Sequence, residues 1–224
     1  EYYVGKDYSL GGITLLCKFD GQRVTMASQI AGADETVSSL YSVKSEQATM
    51  LSFDTYNYLV HYFGQPQGSM ADDPNGTLGG DYEFVISDAT ADRIELKGKK
   101  YGNRIVMKAF SADQTWKQYL TRIKKVEDDA FFYEYDLRMD GLYTGQMLRS
   151  NYTFIVTYYD EVGKVHQKTV PFMFTTDGMR FHEPVTIDGQ TMQNFVWKNE
   201  EISFVCTDEG TTEVKMKGIY IDGY

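Results

Sequence analysis

LSFDTYNYLVHYF (residues 51–63), GGDYEFVIS (79–87) and RIELKGKKYGNRIVMKAF (93–110) are the segments that decide the fold class. In each of them aromatic and β-branched residues alternate with polar ones, and Gly, Pro and Asp cluster between the segments. This alternation is typical of antiparallel strands with one buried face. We therefore predict a mainly β protein. The polar residues in these segments show no spacing that indicates a particular reaction.

The composition is that of a folded protein. The 224 residues suffice for one large or two small cores, and a 15% share of aromatic residues argues against disorder. Tyr occurs 18 times. We expect these tyrosines to build the sheets, with a sugar- or peptide-binding platform as the alternative. The net charge of −10, without a Lys/Arg cluster interleaved with aromatic residues, argues against binding to nucleic acid.

Cys17 and Cys206 are the only cysteines, and each falls on the apolar side of a predicted strand. This pattern favours two buried free thiols, and a single disulfide between the terminal segments is the alternative. The sequence contains no run of about 18 apolar residues, so no membrane-spanning helix is predicted. Because the sequence begins with Glu1, we expect a trimmed or mature product.

The first half is predicted to be a meander of short strands that ends in one helix. Asp20-Gly21 lies between two alternating runs and predicts a hairpin. Tyr58–Phe63 is predicted as a further strand. The aperiodic segment Gly64–Gly80 is predicted as a long loop that is mobile or functional. The apolar spacing after Ser111 predicts a helix over Ser111–Glu127, with a capping box at its start.

The second half is again predicted to be β-rich, and Asp160–Gly163 predicts a hairpin within it. We therefore expect a barrel-like antiparallel meander over residues 1–110, a connecting helix over 111–127, and a second antiparallel unit over 128–224. The predicted strands of the second half are Phe131–Met139, Tyr152–Tyr159, Val165–Phe174, Met179–Phe181, Asn194–Trp197, Ile202–Thr207 and Glu213–Ile219. An offset of 121 residues aligns Phe53 with Phe174 and His61 with His182, which leaves a diverged duplication open.

Motifs for nucleophilic, phosphate-binding and zinc chemistry are absent from the sequence. It has no GxSxG, HExxH, CxxC or GxxxxGK[ST] string. Its only histidines are His61, His166 and His182, and Pro184 opposes the helix that a zinc motif starting at His182 would need. We predict neither a metal nor a cofactor, and we assign no catalytic residue.

The candidate ligand-binding residues are polar side chains of the opening segments: Asp54, Tyr56, Asn57, His61, Asp81 and Glu83. For Asp54 and Asn57 the alternative is a hydrogen bond to local backbone at a strand end. Asp81 and Glu83, two residues apart on one predicted strand, are spaced to meet the wider separation of a glycosidase pair. Exposure of that strand face to solvent is the simpler interpretation.

Several strings in order resemble one family. They are LSFDTYN (51–57) with His61 and Phe63, GGDYEF (79–84), LKGKKYGN (96–103), and TTDGMRFHEP (175–184) continuing to IDG (187–189). They resemble exported lipoproteins of the Bacteroides type that carry a domain of unknown function. The resemblance covers most of the chain and implies a lipid-anchored protein on the cell surface or facing the periplasm. It further implies an accessory role with outer-membrane transporter proteins in nutrient uptake, and it supplies no catalytic residues.

Three functions are weighed on this basis. The favoured one is a non-catalytic binding or accessory module for a glycan or peptide, attached to the membrane only through an upstream lipid anchor. The alternatives are a carboxylate-dependent glycan hydrolase and a structural or adhesive surface protein. A shelf of exposed aromatic rings would favour the first, a pocket with two carboxylates the second, and a filled core without a cleft the third.

Overall fold

A computed structural model describes residues 1–45, 47–66, 77–160, 162–211 and 213–220. Over these residues the protein is mainly β, as predicted, and all strand pairs are antiparallel. Glu1–Thr121 and Arg122–Tyr224 form two compact units, and the boundary between them falls inside a helix. Part of the predicted loop Gly64–Gly80, residues 67–76, lies outside the described residues.

The first unit is built on a nine-stranded sheet with the order β2-β1-β9-β8-β7-β6-β5-β4-β3. Its strands are β1 (Tyr2–Val4), β2 (Gly11–Ile13), β3 (Leu15–Asp20), β4 (Arg23–Ser28), β5 (Val37–Ser45), β6 (Thr49–Phe53), β7 (Glu83–Ala89), β8 (Arg93–Gly98) and β9 (Arg104–Lys108). The two edge strands are neighbours in the chain, since β2 ends at Ile13 and β3 begins at Leu15. The sheet is therefore a nearly closed barrel, which confirms the predicted barrel-like meander.

The predicted hairpin at Asp20-Gly21 is present between β3 and β4. Asp20 pairs with Arg23, and Gly21 has a φ of 58°, a conformation that glycine adopts without steric cost. The interior of the first unit is aromatic: Tyr2, Tyr3, Phe53 and Phe84 are each at most 1% exposed. Burial of these rings supplies much of the driving force for folding.

The predicted strand Tyr58–Phe63 is wrong, because the segment is helical. Helix α1 spans Tyr58–His61, and a 3₁₀ turn follows it. The side chain of Asn57 accepts a hydrogen bond from the Leu59 N–H at 3.1 Å and so caps the helix. Leu59 and its neighbour Val60 are both fully buried, which one face of a strand does not allow.

The predicted connecting helix exists, but it begins later than expected. Helix α2 spans Trp116–Asp129, not Ser111–Glu127. Its capping box is formed by Thr115 and Gln118: the Gln118 N–H donates to the Thr115 hydroxyl at 3.2 Å, and the Thr115 N–H donates to Gln118 Oε1 at 2.9 Å. Within the first unit, Leu120 packs against Leu16 and Ala27.

The second unit is a closed eight-stranded barrel in which each strand pairs with its neighbours in the chain and β10 pairs with β17. The strands are β10 (Glu134–Met139), β11 (Leu142–Ser150), β12 (Thr153–Tyr159), β13 (Val165–Phe174), β14 (Gly178–Ile187), β15 (Gln190–Lys198), β16 (Ser203–Cys206) and β17 (Val214–Ile219). Strand β11 was not predicted. The hairpin predicted at Asp160–Gly163 joins β12 to β13. His61 lies on a helix and His182 on β14, so the offset of 121 residues is not a structural equivalence.

Side chains fill the interior of this barrel. Tyr135, Leu137, Phe154, Phe172 and Phe174 are each at most 1% exposed, and the rings of Phe154 and Phe172 stack with centroids 4.4 Å apart. An eight-stranded barrel is just wide enough for such packing. The surfaces available for ligands therefore lie on its outside and at its ends.

Both cysteines are free thiols, as the favoured prediction states, but each is partly exposed, so the predicted burial is incomplete. In β3 the buried residue is Leu16, whereas Phe19 is 38% exposed, so the predicted apolar face of that strand is wrong. Burial still raises the pKa of Cys17 to about 12, which keeps its thiol protonated at neutral pH.

Candidate functional site

Asp81 is a buried structural carboxylate, and the expectation that it faces solvent is wrong. It lies before β7 and is 3% exposed. Its Oδ1 accepts the backbone N–H of Lys100 at 2.8 Å and of Tyr101 at 3.1 Å, and its Oδ2 accepts the N–H of Asn103 at 3.1 Å. A Cβ at Gly98 would lie 1.9 Å from Oδ2, so only glycine fits there. The carboxylate closes the turn after β8.

Glu83 does not share the environment of Asp81. Its carboxylate pairs with the ammonium of Lys99 at 3.1 Å on a partly exposed surface. Because the acceptor positions of Asp81 are filled by backbone N–H groups, the two carboxyls are not arranged to flank a glycosidic bond.

Asn57 makes the local backbone hydrogen bond of the structural alternative, whereas Asp54 bonds a neighbouring side chain. Asp54 accepts from the Ser52 hydroxyl at 2.7 Å, and this bond lowers the pKa of its carboxyl. Asn57 is fully buried: besides capping α1, its amide donates to the hydroxyl of Ser39 at 3.2 Å. Asn57 is therefore inaccessible to a ligand, while Asp54 lies on the exposed surface, 3.6 Å from the ammonium of Lys44.

Tyr56 and His61 do come together on the surface of the first unit. The ring of His61 stacks on Tyr82 with centroids 5.1 Å apart, and Tyr56 lies 5.6 Å from the same imidazole. Tyr56 is 61% exposed and Tyr82 is 46% exposed. This group is a small aromatic surface without a buried charge.

A cleft of about 450 Å³ lies on the second unit, where the chain passes from α2 into β10 and where β11 turns into β12. The residues that line it are Glu127, Phe131, Phe132, Tyr133, Arg149, Asn151 and Tyr152. Phe131 and Tyr133 form its exposed aromatic rim, with 78% and 62% of their surface accessible. We call this site the β10–β12 cleft.

The three aromatic residues 131–133 differ in burial. Phe132 is partly buried, with its ring 5.9 Å from Tyr135 and 5.1 Å from Tyr220, and a Cβ at Gly218 would lie 2.8 Å from it. Phe131 and Tyr133, on either side of Phe132, are the exposed residues of this segment. Large exposed apolar side chains beside a concave surface are typical of binding sites.

Arg149 is the buried charge of the cleft. Its side chain is only 10% exposed. Nε donates to the carbonyl of Asn151 at 3.0 Å, and Nη1 donates to the carbonyl of Ala130 at 3.4 Å. The guanidinium also lies 5.4 Å from the ring centroid of Phe131 and 5.1 Å from that of Phe174. These ring faces stabilise a cation that is largely removed from water.

Glu127 is the carboxylate of the cleft, and it is held by a tyrosine rather than by the arginine. The hydroxyl of Tyr152 donates to Glu127 Oε1 at 2.7 Å, whereas Arg149 Nη2 lies 3.7 Å from the same oxygen. The latter distance allows an ion pair but is too long for a hydrogen bond. Burial and the neighbouring carboxylate raise the pKa of Tyr152, so its hydroxyl remains a donor at neutral pH.

The sequence reasoning missed every residue of this cleft as a binding candidate. Arg149 lies in β11, the strand that was not predicted, and Phe131 and Tyr133 were assigned to a strand that begins only at Glu134. A signal is nevertheless present in the sequence, since three aromatic residues follow the helix in FFY (131–133). If residues 131–133 lay on a strand, one face of that strand would be exposed to solvent. Aromatic side chains on an exposed face indicate a binding role.

Over the described ranges, no group of three or more His, Cys, Asp or Glu side chains is arranged to hold a metal ion. Within the same part of the chain, none of the helices has the length and apolar character needed to cross a membrane.

Comparison with known proteins places the chain in a family. The chain matches no curated protein and no solved structure with significance. A family model described as a domain of unknown function, DUF4302, matches residues 1–199. This match covers the whole first unit and most of the second, including all residues of the β10–β12 cleft. The chain therefore belongs to the DUF4302 family of domains of unknown function.

Proposed function

We propose that this protein is a non-catalytic binding module that recognises a glycan or peptide ligand in the β10–β12 cleft. The observation that carries the proposal is the combination of an exposed aromatic rim, Phe131 and Tyr133, with a charged side chain, Arg149, that is nine-tenths buried beneath it. Clefts with apolar walls and a few fixed polar groups are the usual form of a ligand site.

The chemistry of the cleft favours binding over hydrolysis. Hydrolysis of a glycosidic bond by the common mechanisms requires two carboxyl groups on opposite sides of the bond. Of the described residues that line the cleft, only Glu127 carries a carboxylate, and the Tyr152 hydroxyl already occupies one of its oxygens. The cleft itself is the feature that favours a binding module over a purely structural or adhesive protein.

The cellular setting of this module is also a proposal. The resemblance to exported lipoproteins implies a protein held at the outer membrane by a lipid anchor and working beside transporter proteins in nutrient uptake. A net negative charge suits such a role, because it limits adsorption of the protein to anionic lipid.

A binding screen with matched variants tests the proposed function. The screen would combine a glycan array, a peptide array and ligand-dependent thermal shifts, run on the wild type and on Phe131→Ala/Tyr133→Ala. Each hit is expected to lose at least about tenfold in affinity in this variant, because truncation of exposed aromatic anchors removes the main apolar contacts that the cleft offers. The matched control is Tyr143→Ala/Tyr159→Ala, which removes two rings of similar exposure elsewhere on the same barrel.

Two outcomes would contradict the proposal. One is an array without hits, and the other is a set of hits that the control variant weakens as much as the cleft variant does. Turnover of a bound glycan that is lost in Glu127→Gln would instead support the hydrolase alternative.

A further inference from the structure

The ion pair in the β10–β12 cleft is separated rather than hydrogen-bonded, which bears on the class of its ligand. The Arg149 side chain is 10% exposed, and two of its nitrogens, Nε and Nη1, donate to backbone carbonyls. The third, Nη2, has its nearest carboxylate oxygen at 3.7 Å, on Glu127. The guanidinium also hydrogen-bonds the side chain of Tyr135. Because a guanidinium has about five N–H groups, these three partners leave part of its donor capacity for the cleft.

Glu127 does not neutralise this cation fully. Its Oε1 is the acceptor for the Tyr152 hydroxyl at 2.7 Å, which holds the carboxylate beside Arg149 rather than against it. Buried ion pairs gain most of their energy from direct, hydrogen-bonded geometry, and a separated pair leaves each charge poorly compensated. An anionic group entering the cleft would supply the missing hydrogen bonds.

From this arrangement, and resting on the proposed function, we infer that the ligand of the cleft is an acidic glycan whose uronate carboxylate binds Arg149. A planar guanidinium pairs with a planar carboxylate through two parallel hydrogen bonds. Phe131 and Tyr133 then provide ring faces on which the C–H face of a sugar packs, because the π face is electron-rich.

The topology of the barrel favours a glycan over a peptide. Extended peptides often bind by adding a strand to a free sheet edge. In the second unit the sheet is closed, with β10 paired to β17, so the described strands of this barrel offer no such edge beside the cleft. A sugar needs only ring faces and directed polar groups, both of which the cleft has.

The affinity experiment compares each acid with its neutral ester. Isothermal titration calorimetry would use short oligosaccharides of galacturonate, mannuronate and glucuronate, each beside its methyl ester, and short peptides with a free or an amidated C-terminus. We expect at least one uronate to bind about tenfold or more tightly than its ester, since a charge-assisted hydrogen bond contributes about that factor or more.

Substitutions of Arg149 and Glu127 are expected to change the affinity for the acidic ligand in opposite directions. Arg149→Gln is expected to abolish the preference for acid over ester. Glu127→Gln is expected to raise the affinity for the acid by about threefold or more, because it removes a like charge next to the bound carboxylate. Arg138→Gln, which changes an arginine on the same barrel outside the cleft, is the matched control and leaves both affinities unchanged. Circular dichroism of each variant verifies folding.

The outcomes separate this inference from the proposed function. Equal binding of acid and ester, lost in Phe131→Ala/Tyr133→Ala, overturns the carboxylate inference and leaves a neutral-ligand module standing. A peptide with a free C-terminus that binds through Arg149, with all uronates inactive, overturns the assignment to glycans. A fall in acid affinity in Glu127→Gln also contradicts it. If no acid, ester or peptide binds, the inference fails, and the array with the rim variant then decides the proposed function separately.

Discussion

Asp81 in the first unit and Arg149 in the second are both charged side chains that the fold removes from water, and they differ in what remains of their hydrogen-bonding capacity. Asp81, 3% exposed, accepts from three backbone N–H groups of one turn. Arg149, with its side chain 10% exposed, has two carbonyl partners, the Tyr135 side chain, a carboxylate at 3.7 Å, and an open cleft beside it.

This difference separates a structural charge from a candidate recognition charge. A buried ion whose partners are all backbone groups contributes to folding and has nothing left to offer a ligand. A buried ion with unused donors next to a cavity is held in place by its surroundings. Its unused N–H groups can still form hydrogen bonds with a ligand that enters the cavity. Burial alone does not distinguish the two cases, and a count of satisfied donors and acceptors does.

The largest expected effect is the loss of folding stability on substitution of Asp81. Asp81→Asn replaces one carboxylate oxygen with an NH₂ group that faces backbone donors, so we expect the free energy of unfolding to fall by about 3 kcal/mol. Urea denaturation followed by circular dichroism measures it. Glu83→Gln, two residues along the chain, breaks only a partly exposed ion pair and should change stability by less than about 0.5 kcal/mol. Similar losses in both variants would show that the N–H cage of Asp81 is unimportant.

The same cage can be disturbed from the other side. Gly98→Ala places a Cβ 1.9 Å from Asp81 Oδ2 and 2.8 Å from the Asn103 nitrogen, so the carboxylate must move out of its cage at a cost of about 2 kcal/mol. Gly32→Ala is the matched control, because its Cβ meets neighbours only at 3.5 Å or more. Equal melting temperatures for the two variants would contradict the close approach at Gly98.

Arg149 should behave in the opposite way to Asp81 when stability is measured. Arg149→Met keeps most of the volume, removes a poorly compensated charge, and leaves Glu127 bonded to Tyr152. Removal of one partner leaves Glu127 without its cation, so Glu127→Gln is combined with Arg149→Met. For Arg149→Met/Glu127→Gln, which removes both charges, we expect the free energy of unfolding to change by less than about 1 kcal/mol, while binding in the cleft is lost. A loss as large as that of Asp81→Asn would show that Arg149 is mainly structural and would weaken the proposed function.

The smallest effect concerns a second carboxylate held by backbone donors. Asp208 Oδ2 accepts the N–H of Asn194 at 2.8 Å and also that of Gln193. Although burial acts to raise the pKa of Asp208, these bonds outweigh it, and the pKa is lower than usual. A lowered pKa contributes stability above the unfolded value of about 3.9, and this contribution disappears as the pH falls through the folded value.

The stability difference between the wild type and Asp208→Asn should therefore shrink as the pH falls from 7 to about 3. Denaturation at several pH values gives this difference directly. Glu209→Gln, at an exposed neighbouring position, should show a difference near zero throughout. A gap for Asp208→Asn that stays constant with pH would mean that its backbone bonds do not depend on the charge.

Much of the fold could be predicted because it is local. Alternation of apolar and polar residues predicted most strands, and Asp20-Gly21 and Asp160–Gly163 predicted their hairpins, since turn chemistry and strand periodicity act within a few residues. The wrong predictions also have local causes, because two local preferences of the chain competed at each position. At Tyr58–Phe63 an Asn cap and two adjacent buried residues outweighed β propensity, and at α2 Thr115 rather than Ser111 completed the capping box.

The candidate site could not be predicted in the same way, because its residues are assembled by pairing between strands. Asp81 and Glu83 are both acidic residues of one predicted strand. Only Asp81 is bound by the backbone of the turn after β8, whereas Glu83 forms a partly exposed ion pair. Arg149 looked like an ordinary strand arginine. Its burial depends on rings from elsewhere in the chain, Phe131 and Phe174, which the barrel brings to it.

The sequence by itself determined that this protein is mainly β, that its strands turn at particular Gly and Asp residues, and that one helix divides two β-rich halves. These properties follow from side-chain periodicity and backbone preferences, which act over short distances along the chain. Tertiary structure alone decided which charges are satisfied and which remain available. That distinction depends on partners such as the Asn103 N–H for Asp81 and the Ala130 carbonyl for Arg149, which strand pairing brings close from distant positions.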